Sequence, residues 1–413
     1  MAVVNRERVC WSELEAAPDW RASWDRLAAR AIRHALANSR EARGRLAEAG
    51  LGADAELGVA ELESVPVLPK DDVPALQEAD PPFGGMLAVR VSELRRIYQS
   101  PGPIHDPEGR GPDFWRMAPA LWAAGFRPGD VVLNTFSYHL TPGGHMLDSG
   151  LREVGCVVVP GGVGNSEAQA ALAHATGASG YTGTPQFLLT LVEAGSGRAA
   201  RPGFTRALVT GAPLPPDLRG RLEGEFGIDV YEAYGTADAG TLGYECARKS
   251  GWHVAPGVVV EILDPGTDEP VGPGEPGQVV VTSPNEVYPL IRFGTGDLSA
   301  LEAGPCVCGR TTPRLKGFLG RVGEGVKVRG MFVHPRQLAA AMAREPGVAA
   351  YQAVVTSEEH RDILTVRVEP SADTDLDAAA LTARLAEAVK LRLEVEVVAA
   401  GALAEESALL DAR

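Results

Sequence analysis

Between Val131 and Gly211 four short apolar runs, each bounded by glycine or proline, alternate with stretches of helical character. The runs are Val131-Val-Leu-Asn-Thr135, Cys156-Val-Val-Val-Pro160, Gly180-Tyr-Thr-Gly183 and Ala207-Leu-Val-Thr-Gly211; residues 166–177 and 185–194 lie between them. Strand and helix in strict alternation predict a parallel sheet covered by helices on both faces. In such sheets ligands bind beyond the carboxyl ends of the strands, so the loops after these runs are where chemistry is expected.

The rest of the chain reads differently. Trp20, Trp24, Leu27, Ala28 and Ile32 recur at helical spacing within 12–50, predicting an N-terminal helical layer over residues 1–60. From 258 the pattern turns to antiparallel strands, over 258–263, 278–282 and 290–293, separated by Pro/Gly turns. Past Gly320, helices at 335–344 and 376–390 and strands at 351–355, 364–368 and 395–398 read as a small α+β unit. The expected fold class is therefore α/β. Its large domain spans 1–319, with a β-rich part at about 256–319, and its small C-terminal α+β domain spans 320–413. A chain of 413 residues accommodates this at roughly 150 residues per domain.

Charge and cysteine usage exclude several classes. A net charge of −15 argues against nucleic acid, which needs a concentrated basic face. No apolar run approaches the ~18 residues that would suggest a membrane span, and Met1-Ala-Val-Val-Asn-Arg lacks the apolar core of a signal peptide. Five cysteines, an odd number, do not suggest a disulfide framework, so a reducing cytoplasm is the expected location.

Three segments carry recognisable chemistry in a fixed order. Leu208-Val-Thr-Gly211-Ala212-Pro213 follows a strand, and its glycine lets the backbone approach a flat ligand. Tyr231-Glu232-Ala-Tyr234-Gly235-Thr236-Ala237-Asp238 offers an aromatic face beside small residues and a carboxylate. Ile291-Arg-Phe-Gly294-Thr295-Gly296-Asp297 then presents a carboxylate able to accept two hydroxyls at once. With Cys306-Val-Cys308-Gly-Arg and Gly320-Arg321-Val-Gly-Glu-Gly-Val-Lys327-Val-Arg329-Gly330, the series closely resembles adenylate-forming ligases of the phenylacetate-CoA ligase type. The likeness runs from about residue 60 to the C-terminus and is strongest over 205–340.

The resemblance implies an acid–thiol ligase that makes an acyl-adenylate from a carboxylic acid and ATP, then passes the acyl group to CoA. It implies nucleotide binding by Gly211, Ala212, Pro213, Glu232, Tyr234, Gly235, Thr236, Asp238, Asp297 and Arg321. In the family's terms Gly211, Ala212 and Pro213 flank adenine, Tyr234 stacks on it, and Asp297 holds the ribose hydroxyls. Asp238 stands where the family has a glutamate holding Mg²⁺, and Arg321 is the hinge arginine. Tyr138 and His139 fall where the family lines its acyl pocket. The small domain would rotate about Gly323-Glu324. Dimerisation is common in the family, which leaves a homodimer open.

Independently, Cys246-x6-His253 and Cys306-x-Cys308 supply three thiols and one imidazole, a complete tetrahedral set for a structural Zn²⁺. A Cys-x-Cys pair is poorly placed for a mutual disulfide.

Three departures from the family bear on the adenylation step. Where a Ser/Thr/Gly-rich loop ending in lysine would cradle the phosphates, the chain reads Tyr98-Gln-Ser100-Pro-Gly-Pro-Ile-His105-Asp106-Pro-Glu108. Its prolines lack N–H donors and its carboxylates repel phosphate. Ala237 replaces the usual threonine, with Thr236 beside it as a substitute hydroxyl. The tail lysine is absent: about Ala408 fills its place and Lys390 is the last lysine. These departures keep two alternatives beside a complete ligase, namely an enzyme that uses a preformed acyl-adenylate and a non-catalytic ligand-binding or partner subunit.

Overall fold

The computed structural model describes residues 9–52, 57–100, 102–194, 202–265, 267–322, 326–329, 331–333, 338, 341–342, 344–345, 347–358, 361–371, 376–389, 391–399, 401–403 and 409–413. The chain divides into two compact units, Met1–Gly320 and Arg321–Arg413. Residues 323–325, 390 and 408, which carry the expected hinge, the last lysine and the tail position, lie outside the described residues. So does most of the helix expected at 335–344.

The first unit is organised by a nine-stranded sheet. Val131–Asn134 pairs in parallel with Val157–Pro160 on one side and Gly180–Gly183 on the other. Arg206–Val209 and then Asp229–Thr236 extend the parallel run. Val132 and Leu133, adjacent residues facing opposite sides of the sheet, are both fully buried, as a sheet covered on two faces requires. Beyond Asp229–Thr236 the sheet turns antiparallel, through Gly240–Tyr244, Trp252–Val254, Arg314–Leu315 and Leu301–Glu302.

A second sheet carries Thr295-Gly296-Asp297. Val259–Leu263, Gly277–Ser283 and Leu290–Ser299 are antiparallel neighbours, and the short strand Leu68–Pro69 joins parallel to Leu290–Ser299. The helical layer lies against this sheet. Asp19 caps the helix Trp20–Asn38 by accepting from Ala22 N at 3.0 Å, and Ser39 caps the following Arg40–Glu48. Ala28, Ala31, Ile32 and Ala35, at helical spacing, cluster with Val259 and Ile291.

The chain at 98–108 is a β-hairpin. Arg96–Ser100 and Ile104–Glu108 pair in register, Tyr98 opposite Asp106 and Ser100 opposite Ile104. Period-two alternation sends Tyr98, Ser100, Ile104, Asp106 and Glu108 inward. This corrects the sequence reading of Glu108 as a bare charge in a phosphate-facing loop. Glu108 accepts from Arg96 Nη1 at 2.8 Å and Tyr98 Oη at 2.7 Å, with Arg95 Nη1 at 3.6 Å.

The second unit holds a four-stranded sheet. Val348–Glu358 and Arg361–Pro370 form its central hairpin, flanked in parallel by Leu409–Asp411 and Glu394–Val397. The helix Ala378–Val389 buries Leu381, Leu385 and Val389, one residue per turn, in the core of this unit.

Candidate nucleotide and acyl site, and a thiol cluster

The sequence motifs converge at the carboxyl ends of the parallel strands. Thr135–Pro142 follows one strand, Gly211–Pro213 another, and Ala237–Ala239 leaves the end of Asp229–Thr236. Gly211 has φ of +75°, and a Cβ there would lie 3.0 Å from the Phe136 ring. Glycine is thus required both by conformation and by the close approach of the acyl-side loop.

The centre of the site is Asp297. It is 5% exposed and lies on the strand Leu290–Ser299, where Gly296 at φ +79° turns the backbone. Tyr234 Oη donates to Asp297 Oδ2 at 2.8 Å and lies 3.3 Å from Thr295 Oγ1. Thr295 Oγ1 in turn donates to Val279 O at 3.0 Å and accepts from Asp297 N at 3.2 Å. The Tyr234 ring stacks on Trp252, centroids 5.3 Å apart and 17° from parallel. Trp252, which the motif reading missed, therefore fixes the aromatic plane assigned to the base.

Gly235 permits a tight strand crossing, since a Cβ there would meet Gly240 O at 2.5 Å. Thr236 Oγ1 accepts from Ala239 N at 3.1 Å and stabilises the turn that presents Asp238. Glu232 is engaged elsewhere: Arg219 Nη2 lies at 3.1 Å and also holds Glu245 at 2.9 Å. Burial, and then the Glu245 carboxylate, push Glu232 up to about 7.

Asp238 is met by Lys70, whose Nζ lies 2.5 Å from Oδ2, with the Asp238 side chain 1% exposed. Asp106 is fully buried beside them. Among the described residues, neither oxygen of Asp106 nor Asp238 Oδ1 has a hydrogen-bond donor. Burial, then the Asp238 carboxylate, hold Asp106 well above the usual carboxylate range; Lys70 and Ser100 pull the other way. Asp238 Oδ1 is a hard oxygen without a donor, which suits a nucleotide-borne Mg²⁺.

On the acyl side, Asn134 Nδ2 donates to Tyr138 Oη at 2.8 Å, and burial raises the Tyr138 hydroxyl above its usual range. His139 is exposed, with its backbone N–H on Ser137 Oγ. The imidazole beside Tyr138 is His145, edge-on at 5.0 Å, and His145 also lies 5.5 Å from the Tyr98 ring. Its helical position, seven residues past Tyr138, gives no signal in the motif. Arg321 is half-buried and begins the second unit.

The thiol cluster forms where the antiparallel strands meet. Tyr244 opposite His253 sets Cys246 and His253 on one hairpin, and Cys306 and Cys308 lie between Leu301–Glu302 and Arg314–Leu315. Their ligand atoms all lie within 4.8 Å of one another. Cys246 Sγ and Cys306 Sγ are 3.8 Å apart, and Cys308 Sγ is 3.3 Å from His253 Nε2. Zinc–sulfur bonds of about 2.3 Å at tetrahedral angles demand an S···S edge of about 3.8 Å. Backbone N–H groups of Arg248 and Arg310 point at Cys246 and Cys308, and Thr312 Oγ1 lies 3.4 Å from His253 Nδ1. Behind the cluster, Arg310 joins Glu15 at 3.0 Å, Glu15 also accepts from Tyr244 Oη at 2.6 Å, and Arg310 Nη2 donates to Val9 O.

A parallel sheet whose strand end brings Tyr234 to Asp297 on the neighbouring sheet, followed by a small α+β unit, is the arrangement in which the comparisons with known proteins agree. The family model of the AMP-binding enzymes matches residues 114–288, and that of the AMP-binding enzyme C-terminal domain matches 330–409. Phenylacetate-coenzyme A ligase of Thermus thermophilus is 31% identical over 344 residues, covering 79% of this chain and 76% of that protein. The enzyme of the same name from Aromatoleum evansii is 30% identical over 383 residues, covering 88% and 83%. The chain belongs to the phenylacetate-CoA ligase family and is an acid–thiol ligase. A solved structure of 2-hydroxyisobutyryl-CoA ligase, in complex with 2-HIB-AMP and CoA, shares the fold. Its TM-score is 0.88 over 99% of this chain and 94% of that one, at 24% identity. Among the described residues no helix is long and apolar enough to cross a membrane.

Proposed function

We propose that the chain converts a carboxylic acid and ATP to an acyl-adenylate and transfers the acyl group to CoA. The supporting observation is Asp297, buried and already oriented by Tyr234 Oη at 2.8 Å, with Tyr234 near the carboxyl end of the strand Asp229–Thr236. A preorganised ionised acceptor suits the two ribose hydroxyls of an adenylate. Phe136 and Tyr138 stand on the adjoining loop, so the acid and the nucleotide meet at the same strand ends. Asp238 would hold the metal that accompanies the nucleotide, and Mg²⁺ would supply charge neutralisation at the phosphates.

Acid-dependent ATP–pyrophosphate exchange over a panel of aryl and short hydroxy acids tests the first half-reaction, and synthetic acyl-AMP with CoA tests the second. Both activities are expected. Thioester formation without exchange would replace this reading with use of a preformed adenylate, which the hairpin at 96–108 and the alanine at 408 favour. Absence of both would leave a binding subunit.

Cys246, His253, Cys306 and Cys308 are read as a structural Zn²⁺ site, because four protein ligands leave no open position for chemistry. Metal analysis after purification without chelators should give about one zinc per chain. Less than a tenth of an equivalent would refute the assignment. A reducing cytoplasm suits thiols kept for metal.

A further inference from the structure

Lys70 lies outside every motif described above, yet the fold sets it among them. Its strand runs beside the ribose strand with Leu68 opposite Phe293 and Pro69 opposite Gly294. Residue 70 is therefore placed next to the start of Thr295-Gly296-Asp297. A short 3-10 turn, Lys70–Asp72, leads into the helix Val73–Ala79 and holds the lysine against the loop that follows Tyr234. There its Nζ meets Asp238 Oδ2 at 2.5 Å, and the lysine side chain is 19% exposed.

The surroundings explain why a cation is needed. Asp106 Oδ1 and Oδ2 and Asp238 Oδ1 are buried without donors among the described residues. Two buried carboxyl groups, of which Asp106 is held well above the usual carboxylate range, share one ammonium, so Lys70 is the counter-charge of this corner. On the hairpin, Arg96 is committed to Glu108 at 2.8 Å. Of the other lysines described with their side chains, Lys249 is tied to Glu223 and Asp229, each at 2.6 Å, and Lys316 is exposed. Arg116 is committed to the backbone carbonyl of Ala239.

We propose that Lys70 is the fixed cation that meets the nucleotide phosphates during adenylation and rests on Asp238 until the nucleotide arrives. The proposal deepens the acyl-adenylate reading and rests on it. In the step, a carboxylate oxygen of the acid bonds to the α-phosphorus. The bond from that phosphorus to the oxygen bridging to the β-phosphate breaks, and pyrophosphate leaves with the electron pair. Negative charge grows on the phosphate oxygens as it does so. An ammonium with three donors on a four-carbon stem can leave one carboxylate oxygen and follow that charge. The second half-reaction releases AMP with no pyrophosphate to stabilise, so it depends less on Lys70.

The test uses the full chain with Lys70→Gln, which keeps a donor for Asp238 but removes the charge, and Lys70→Arg, which keeps the charge. Exchange between ATP and pyrophosphate and thioester formation from synthetic acyl-AMP are measured on both, with thermal melts to establish folding. Lys70→Gln should lower exchange about 100-fold, and at least about tenfold more than it lowers thioester formation. Lys70→Arg should keep at least about a tenth of the exchange. Should the glutamine variant fail to fold, Lys70→Met and the arginine variant carry the same comparison. Exchange that survives loss of the charge overturns the role of Lys70 alone. So does an equal fall in both activities by a variant that melts like the unmodified protein. An unmodified protein without exchange overturns the adenylation reading and this proposal together.

Discussion

The two ends of the nucleotide site are built on opposite principles. At the ribose end Asp297, Tyr234 and Thr295 form a connected set in which each side-chain oxygen named above has a partner at 2.8 to 3.3 Å. At the corner proposed for the phosphates, Asp106 and Asp238 bring three buried carboxylate oxygens, without donors among the described residues, around one lysine. A satisfied network holds a geometry fixed. An underfilled one leaves acceptors for which a ligand can supply the donors. On the proposed reading, the Asp297 corner keeps its geometry through the chain's own hydrogen bonds, whereas the Asp238 corner takes its missing donors from what binds there.

The sharpest way to break this contrast is to remove charge from each end in turn. Asp297→Asn should cost about 100- to 1000-fold in the formation of thioester from acyl-AMP, because it discharges a buried, hydrogen-bonded acceptor at the ligand. Turnover within about threefold of the unmodified protein would show that the ribose end does not carry binding. Asp106→Asn should have the reverse sign on stability. It replaces a buried carboxyl that is costly to ionise with an amide that gives Asp238 a donor, so the urea midpoint should rise at unchanged m-value, by an amount worth about 1–2 kcal/mol. A fall in the midpoint would mean that Asp106 is satisfied by hydrogen bonds in the folded protein and the contrast is false.

The smallest effect lies between the two ends. Glu232 shares a strand with Tyr234 but is held by Arg219, and burial raises it to about 7. The folded state therefore binds a proton that the unfolded chain has released above its ordinary value of 4.5. The stability from this group is full below that value and declines as pH rises towards 7. Between about pH 5.5 and 6.5 the decline is about 1 kcal/mol. Glu232→Gln should flatten that limb in chemical denaturation series, and an unaltered slope would assign the pH dependence to other carboxyls.

The strand and turn that carry Asp297 are legible in the sequence and the Lys70–Asp238 corner is not, for physical reasons. Asp297 sits in a short motif whose glycines and neighbouring apolar run define strand, turn and carboxylate together within a few residues. The thiol cluster is readable because three thiols and an imidazole have few uses other than metal. Lys70 and Asp238 are 168 residues apart, and no local pattern joins them. The available hint is scarcity: with only five lysines among 39 basic residues, each lysine retained carries more information than each arginine. The hairpin at 96–108 reads as a loop because its prolines and glycine suggest irregular backbone, which masks the alternation of Tyr98, Ser100, Asp106 and Glu108. His139 stands out over His145 because adjacency to Tyr138 in sequence is visible, whereas adjacency through a helical turn is not.

Glu15 ties the leading segment of the chain to a loop almost 300 residues later, through Arg310 and Tyr244, immediately behind Cys308. That segment is thus a wall of the thiol cluster, and the two should loosen together. Limited proteolysis ahead of Trp20 would then report on occupancy of the proposed zinc site, and a bulky group attached ahead of Trp20 would act as a remote perturbation of the cluster it backs.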